Sequence, residues 1–344
     1  NQAYWDHLPA AREAETAEAL RPVLASLLEV LGESHFVVHP GAGYEAMNDV
    51  DSEAVQDRSG EVGLDVRLLE DRCLVVRVRE DSTAKSAGLQ PGDEILRVGD
   101  LEISSLLQEL REGGIPEEMI PFVVRRKTLR ATKGPPGSST QLVWIGVDEV
   151  EDSAQVERRY RPAKRVQMGN LPNLEVIFED RVLESESGLR IGYVYFNIFL
   201  GDIVTHFSEV MERFVAEELD GVILDLRGNP GGLGAMSRGI AGHFVFDSSQ
   251  SLGMMKMRTS KLNFFVVPKV PDQRFEGPLV ILLDNESGST SEILAGGLQD
   301  LGRATIVGST SAGMALPSVI ERMPNGDAIQ FAMGDLETAS GYRI

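Results

Sequence analysis

The sequence predicts a multidomain α+β protein in three parts, because the pattern of its apolar residues changes twice along the 344 positions. Near the start, apolar residues recur at three- and four-residue steps, as in an amphipathic helix. Short β-type segments begin at Gly60, and from Ile191 onward apolar strands alternate with helical patterns. We therefore expect an amino-terminal helical segment at 1–58, a strand-rich domain at 59–150 and an α/β core at 151–344.

The first part contains one predicted amphipathic helix at 11–31, with Gly32 after it as a stop signal. Ser34 and His35 follow at once and are expected on the loop after this helix. A polar, acidic stretch without periodicity at 48–60 then leads into the second part. The apolar positions that define the helix are Leu20, Leu24, Leu27, Leu28 and Leu31.

Five short strands are predicted in the second part, because apolar and β-branched residues cluster there between turn signals. A short helical turn and a Pro-Gly turn at 86–93 separate the second strand from the third. The basic residues of the fourth segment indicate a solvated hairpin face rather than a binding patch. The five predicted strands are 63–69, 73–78, 94–98, 122–132 and 140–147.

Strands and helices alternate in the third part, which predicts a sheet with functional groups at the carboxyl ends of its strands. The sequence stops at 341–344 in the pattern of a strand, so we expect part of this domain to lie beyond the last residue. The predicted elements are strands at 191–196, 221–226, 277–284 and 304–307, and helices at 204–215 and 290–301.

The composition argues against several classes of partner. With 33 Lys and Arg against 53 Asp and Glu, the formal net charge is −20, which repels nucleic-acid phosphates and anionic lipid surfaces. The one cysteine, Cys73, lies in an apolar run, which favours a small buried side chain over a reactive thiol. No apolar run approaches the ~20 residues of a membrane span, and the first residues show no signal-peptide pattern.

Ser289 follows a predicted strand and opens a predicted helix. In one interpretation it is a helix cap, and Glu292, three residues later, closes a capping box. In the other, its hydroxyl points out of the turn as a nucleophile, where the helix dipole and the N–H of Thr290 favour negative charge on an adjacent oxyanion. The motif alone does not decide between the two.

A second junction of strand and helix, at 225–233, contains the adjacent glycines Gly231 and Gly232. Because they lack side chains, their backbone amides can approach a substrate carbonyl and form the other half of an oxyanion hole. The alternative is a glycine-rich structural turn. The segment is not a phosphate-binding P-loop, because no Gly-Lys-Ser or Gly-Lys-Thr follows.

These two motifs resemble those of the C-terminal processing (tail-specific) serine peptidases. The similar stretches are 225–233 and 287–308, and Ser289 matches the nucleophile of that family. The resemblance implies a ClpP/crotonase-like core and a serine endopeptidase that needs no metal and no organic cofactor. It also implies polypeptides or protein C-termini as substrates, and export to a bacterial cell envelope or periplasm.

Residues 60–100 resemble a PDZ domain. Val62, Gly63 and Leu64 are similar to its carboxylate-binding loop, and the stretch 86–99 is similar to its Ala-Gly-Leu-x-x-Gly-Asp signature. The resemblance implies that this domain captures the C-terminus of a substrate by strand addition.

One position departs from the family pattern. The general base of the family is a lysine on the loop after the nucleophile helix and its next strand, and the matching residue here is Met314, which cannot accept a proton. Ser34 and His35 resemble the Ser-His pair of the tricorn core protease, which meets a distant nucleophile serine. The resemblance implies His35 as general base and Ser34 as the residue that positions or polarises it. An imidazole with a pKa of about 6.5 suits that role at neutral pH.

Three questions stay open on the sequence alone. The acid that orients the histidine is unassigned among Glu292, Glu337 and a glutamate just past Ile344. Lys256 or Lys261 could replace the histidine as base. The chain could also be a catalytically inactive, PDZ-containing peptide-binding protein that retains the protease fold, with the missing lysine marking the lost activity.

Overall fold

We describe the fold from a computed structural model of the chain. It describes residues 2–31, 36–39, 59–113, 117, 120–161, 164–166, 174–313 and 318–343. The chain forms two compact units: the smaller comprises residues 52–162, and the larger combines residues 1–51 with 163–344. None of the helices within the described ranges is both long enough and apolar enough to cross a membrane.

The α-helices of the described residues are α1 (Gln2–Glu13), α2 (Ala17–Glu29), α3 (Thr83–Ser86), α4 (Ile103–Glu112), α5 (Ile120–Thr132), α6 (Ile203–Ala216), α7 (Ala235–Ala241) and α8 (Thr290–Asp300). The first eleven strands are β1 (Val37–His39), β2 (Gly60–Glu61), β3 (Leu64–Leu69), β4 (Arg72–Val78), β5 (Glu94–Val98), β6 (Leu101–Glu102), β7 (Ser139–Ile145), β8 (Glu151–Glu157), β9 (Arg159–Tyr160), β10 (Lys164–Val166) and β11 (Leu174–Val176). They are followed by β12 (Phe178–Glu184), β13 (Arg190–Phe196), β14 (Gly221–Asp225), β15 (Ser251–Met257), β16 (Lys261–Phe265), β17 (Leu279–Leu283), β18 (Thr305–Gly308), β19 (Ser318–Arg322), β20 (Ala328–Ala332) and β21 (Gly334–Thr338).

The smaller unit is built around an antiparallel sheet in the order β3-β4-β5-β7-β8, with β6 paired to β5. Its core joins apolar side chains of this sheet to those of α4 and α5. Four of the five strands predicted here match β3, β4, β5 and β7 to within two residues at either end. Among the described residues β3 pairs only with β4, so it is an edge strand.

The predicted strand at 122–132 is wrong, because these residues belong to helix α5. Ile120, Val124, Thr128 and Thr132 are its buried residues, and a spacing of four places them on one helix face. β-branched residues in this segment favour a strand locally. The packing of the buried face against β3 outweighs that preference, so the basic side chains project from a helix and not from a hairpin.

The larger unit contains a five-stranded sheet in the order β12-β13-β14-β17-β18. β12 is antiparallel to its neighbour, and the other four strands are parallel. The four strands and two helices predicted for this region are all present. Because β13, β14, β17 and β18 end at the same edge, the loops that follow them converge there.

The amino-terminal residues form two helices where the sequence predicted one at 11–31. Thr16 separates them, because its hydroxyl accepts the N–H of Ala19 at 3.1 Å and caps the start of α2. On α2, the guanidinium of Arg21 donates to both carboxylate oxygens of the buried Asp327 at 3.0–3.1 Å. This pair anchors α2 to the hairpin of β19 and β20.

A small sheet in the order β1-β20-β19 joins the start of the chain to its last part. Val37 lies opposite Gln330, which in turn lies opposite Ile320. β1 and β19 therefore run in the same direction, and both begin at the same end of this sheet.

Candidate active site

Ser289 occupies a sharp turn between β17 and α8 at the carboxyl edge of the five-stranded sheet. Its φ of 53° and ψ of −115° are sparsely populated for a residue with a side chain. An ordinary N-cap residue is extended, so this backbone is not that of a simple cap. A strained turn from strand to helix is the geometry that exposes a nucleophile.

Glu292 closes this turn, as the capping interpretation expects. Its Oε2 accepts the N–H of Ser289 at 2.7 Å, and its own N–H donates to the carbonyl oxygen of Ser289 at 2.9 Å. The side chain is almost completely buried. The amide of the serine is therefore occupied, and the next free donor on the helix is that of Thr290.

The glycine loop after β14 packs directly against this turn. A β-carbon on Gly231 would lie 2.6 Å from Cβ of Ser289 and 2.8 Å from the nitrogen of Thr290. A β-carbon on Gly232 would lie 2.5 Å from the carbonyl oxygen of Phe199. Both glycines also have positive φ, 101° and 136°. Glycine is required at both positions on two counts, conformation and space.

The three candidate oxyanion donors are the backbone N–H groups of Gly231, Gly232 and Thr290, and they differ in whether they already donate a hydrogen bond. The N–H of Gly231 donates to Oδ1 of Asn229 at 3.0 Å. Among the described residues, neither the N–H of Gly232 nor that of Thr290 has an acceptor. The hydroxyl of Thr290 donates to the carbonyl oxygen of Gly232 at 2.9 Å, which holds these two residues together.

Asn229 ties the glycine loop to the serine turn. It is fully buried, and its carbonyl oxygen accepts the N–H of Gly288 at 3.0 Å and the hydroxyl of Ser291 at 2.8 Å. Its Nδ2 donates to the carbonyl oxygen of Phe196 at the end of β13 at 2.8 Å. Through its backbone carbonyl and its side chain, Asn229 thus links the serine turn, its own loop and the end of β13.

A second link runs through Asp284 and Ser287. Oδ1 of Asp284 accepts the N–H of Gly228 at 2.8 Å, and the hydroxyl of Ser287 donates to the carbonyl oxygen of Leu226 at 2.9 Å. The sequence reasoning missed these two residues and Asn229. Polar residues directly after apolar strands were the available signal.

The start of the glycine loop is braced by a buried charge. Asp225 is 2% exposed and accepts hydrogen bonds from the guanidinium of Arg227 at 2.6–2.9 Å and from the phenol of Tyr193 at 2.7 Å. Burial, together with the carboxylate of Asp225, raises the pKa of Tyr193 well above its usual range. The phenol therefore stays protonated and acts as a donor to the carboxylate.

The loop after β18 is also held against the serine turn. The N–H of Ala312 donates to the carbonyl oxygen of Ser287 at 2.9 Å, and the N–H of Gly313 donates to Oε1 of Glu292 at 2.8 Å. Met314, which stands where the family has lysine, is the next residue and lies outside the described residues. Hydrogen bonds therefore hold the chain against the serine turn up to Gly313, the residue before Met314.

Ser34 and His35 also lie outside the described residues. Three other histidines are engaged elsewhere: His7 bonds to the carbonyl oxygen of Ala3, His206 packs against Phe178, and His243 is fully buried. The partner of His7 lies on α1, the partner of His206 lies on β12, and His243 packs against α6.

Of the two alternative bases, Lys256 forms an ion pair with Glu337, which was also a candidate for the orienting acid. Lys261 lies opposite Lys256 on β16 and is exposed. Glu292, the third candidate named from the sequence, binds the amides of Ser289 and Gly313.

The loop that resembles a carboxylate-binding loop precedes the edge strand β3. Val62 is buried, its carbonyl oxygen accepts the N–H of Ala84 at 2.9 Å, and Gly63 has a φ of 86°. Within the described residues the amides of Val62 and Gly63 have no acceptor. Leu64 begins β3 opposite Val78.

Ser289 thus stands on a strained turn that faces the glycine loop, at the carboxyl edge of a mixed α/β sheet. Comparisons with known proteins bear on this arrangement. Residues 190–344 match the model of peptidase family S41. The resemblance to C-terminal processing peptidases that the motifs predicted is confirmed.

Two relatives illustrate the similarity. The carboxy-terminal processing protease CtpB of Bacillus subtilis is 25% identical over 269 residues, which are 77% of this chain and 48% of that protein. A carboxyl-terminal-processing protease of Synechocystis sp. is 26% identical over 263 residues, 76% of this chain and 54% of that protein. The chain thus spans about half the length of these relatives.

Solved structures support the same fold. The photosystem II D1 C-terminal processing protease superposes with a TM-score of 0.55 at 18% identity, covering 96% of this chain and 80% of that one. Mature CPAF gives a TM-score of 0.54 at 13% identity, covering 100% of this chain and 84% of that one. At these identities the likeness concerns the fold alone, which is the mixed α/β fold of these proteases.

Proposed function

We propose that the protein is a serine-type endopeptidase with Ser289 as its nucleophile. The observation that carries this proposal is the strained backbone of Ser289 in direct contact with Gly231. A strained turn of this kind is costly, by about 1–3 kcal/mol, and is retained where the function needs it. In the proposed reaction the serine oxygen attacks the scissile carbonyl, and water later hydrolyses the acyl-enzyme.

The oxyanion is assigned to the amides of Thr290 and Gly232. Both lie at the contact between the two motifs, and within the described residues neither donates to another acceptor. The N–H of Gly231 would first have to break its hydrogen bond to Oδ1 of Asn229, so Gly231 is the third choice as an oxyanion donor. Each such donor contributes about 10²–10³ in rate.

His35 is proposed as the general base that takes the proton of Ser289 and returns it to the leaving amine, with Ser34 as its positioning partner. The small sheet supports this proposal. Val37 and Ile320 are two strand spacings apart, about 10 Å, at the end where β1 and β19 begin. Four residues lie between Gly313 at the serine turn and Ser318, so at most about 18 Å of chain joins the two.

Residues 59–150 are proposed to act as a PDZ domain that captures the C-terminus of a polypeptide. Two features support this: β3 has no strand on its outer edge among the described residues, and the preceding amides of Val62 and Gly63 suit a carboxylate. Polypeptides or protein C-termini are accordingly the proposed substrates. Export to a bacterial cell envelope or periplasm belongs to the same proposal and follows from the resemblance only.

Labelling of the purified protein with a fluorophosphonate tests the nucleophile and its base. We expect labelling of the wild type, none of Ser289→Ala, and a decrease of about 10²–10⁴ in His35→Ala. His7→Ala is the matched control and keeps the wild-type rate. Labelling that persists in Ser289→Ala would refute the assignment of the nucleophile.

A catalytically inactive peptide-binding protein is the second candidate, and Met314 in place of the family lysine favours it. This protein would bind peptides through the smaller unit and leave the serine unreactive. Absence of fluorophosphonate labelling between pH 5 and 10, with peptide binding intact, would establish it.

A further inference from the structure

Asp65 and the apolar core lie on opposite faces of the edge strand β3. Val66 is fully buried and belongs to the core together with Ile120 and Val124 of α5. Because side chains alternate along a strand, Asp65 points to the other face. Its cross-strand partner on β4 is Arg77, whose Nη2 is 3.9 Å from Oδ2 of Asp65 on that same face.

Arg125 reaches Asp65 from helix α5, which packs on the core face. Its Nε donates to Oδ1 at 3.0 Å, and its Nη2 donates to Oδ2 at 3.1 Å. A bidentate pair that joins the two faces must pass around the edge of β3. The edge that faces away from β4 is the one to which an added strand would bond.

Asp65 does not depend on Arg125 alone. Nη1 of Arg67 donates to Oδ1 of Asp65 at 3.1 Å. Burial would raise the pKa of this carboxyl, but Arg67, Arg125 and Arg77 outweigh burial and lower the pKa to about 2. The carboxylate is therefore ionised at every pH where the protein is expected to work, and a competing carboxylate, rather than protonation, is what can release Arg125.

We propose that the Asp65–Arg125 pair is an ionic strap across the open edge of β3 that selects peptides with an acidic side chain near their C-terminus. This inference rests on the proposed capture of peptides by the smaller unit. A neutral peptide that adds to β3 displaces the strap and the side-chain hydrogen bonds to the backbone of Val66, and it offers backbone hydrogen bonds but no charged group in exchange. An acidic side chain replaces Asp65 as the partner of Arg125, while Arg67 keeps Asp65 paired.

Peptide binding by the full chain tests the strap. The probes are two fluorescein-labelled peptides of equal length, one with glutamates among its last four residues and one with glutamines at the same positions. Fluorescence anisotropy is measured in a Ser289→Ala background, so that the peptides are not consumed. The variants are Arg125→Gln and its neighbour Arg126→Gln, an exposed position that removes the same charge from the same helix.

We expect the full chain that retains Arg125 to bind the glutamate peptide about tenfold more tightly than the glutamine peptide, the low end of what a charged hydrogen-bonded pair is worth. Arg125→Gln should bind the glutamine peptide about tenfold more tightly than the wild type and lose the preference. Arg126→Gln should behave as the wild type. Arg125→Lys keeps the positive charge but cannot form the bidentate hydrogen bonds of a guanidinium, so it should give an intermediate preference. The test therefore remains decisive if Arg125→Gln folds poorly.

Two results would overturn the strap. Equal binding of both peptides by the wild type, or an unchanged preference in Arg125→Gln, would refute the strap while peptide capture stands. Failure of every variant to bind either peptide would refute peptide capture and the strap with it.

Discussion

Gly231 touches Ser289 so closely that a β-carbon on the glycine would lie 2.6 Å from Cβ of the serine. Non-bonded carbon atoms prefer separations of about 3.5–4.0 Å. The glycine loop and the serine turn therefore fit together only when residue 231 has no side chain.

Gly231→Ala is expected to remove at least about 99% of the fluorophosphonate labelling rate, because the turn that presents Ser289 must shift. Overpacking of this kind also costs about 1–3 kcal/mol of unfolding free energy. The control is Gly188→Ala, because Gly188 also has a positive φ, 82°, but a β-carbon added there would meet only open space. Urea unfolding separates the loss of stability from the loss of reactivity. Wild-type labelling in Gly231→Ala would contradict the proposed fit.

Glu292→Gln should lower the labelling rate about tenfold or more and leave peptide affinity unchanged. The carboxylate accepts the amides of both Ser289 and Gly313, and a glutamine offers only one acceptor oxygen. One buried amide then loses its partner, at a cost of about 1–3 kcal/mol. Glu276→Gln, at an exposed position, is the matched control. Equal labelling rates in the two variants would show that Glu292 does not position the serine.

Met314→Lys in a His35→Ala background is expected to restore part of the labelling. Gly313 is held against the serine turn by Glu292, and we expect a lysine at the next position to act in the manner of the family base. Because lysine acts as a base only when neutral, the restored rate should rise with pH above 7. Met333→Lys, at an exposed methionine, should restore nothing. Absence of rescue would argue against residue 314 as the position of the base.

His243 should make the protein less stable in mild acid. Burial lowers the pKa of His243 to about 4, and its ring bonds to the carbonyl oxygen of Gln273 at 2.7 Å and to the hydroxyl of Ser208 at 3.0 Å. The unfolded chain binds a proton near pH 6.5 and the folded chain only near pH 4. The stabilisation that comes from keeping His243 neutral and buried is complete above pH 6.5 and is lost as the pH falls to about 4. The loss in unfolding free energy is at most about 3 kcal/mol.

Urea unfolding at pH 7.5 and pH 4.5 checks this expectation. The wild type should lose more stability between the two pH values than His243→Gln, which lacks the titrating ring. His7→Gln, at a surface histidine, should lose as much as the wild type. An equal loss in the wild type and His243→Gln would exclude the buried imidazole as the cause.

Much of the larger unit followed from sequence patterns. Apolar runs separated by helical periodicity located β13, β14, β17 and β18, because buried parallel strands and amphipathic helices have distinct periods. The residue types at the ends of these strands also pointed to Ser289 and to the glycine pair. The prediction failed at 122–132, where β-branched residues favour a strand but their spacing of four serves one buried helix face.

The sequence by itself determined that a serine would stand at the start of a helix and that two glycines would follow another strand. Only the tertiary structure decided that the two belong to one site, because parallel strands bring distant loops to the same sheet edge. It also decided which amides are available, since Glu292 occupies that of Ser289 and Asn229 occupies that of Gly231. Such assignments depend on hydrogen bonds between residues far apart in the chain, which no local pattern records.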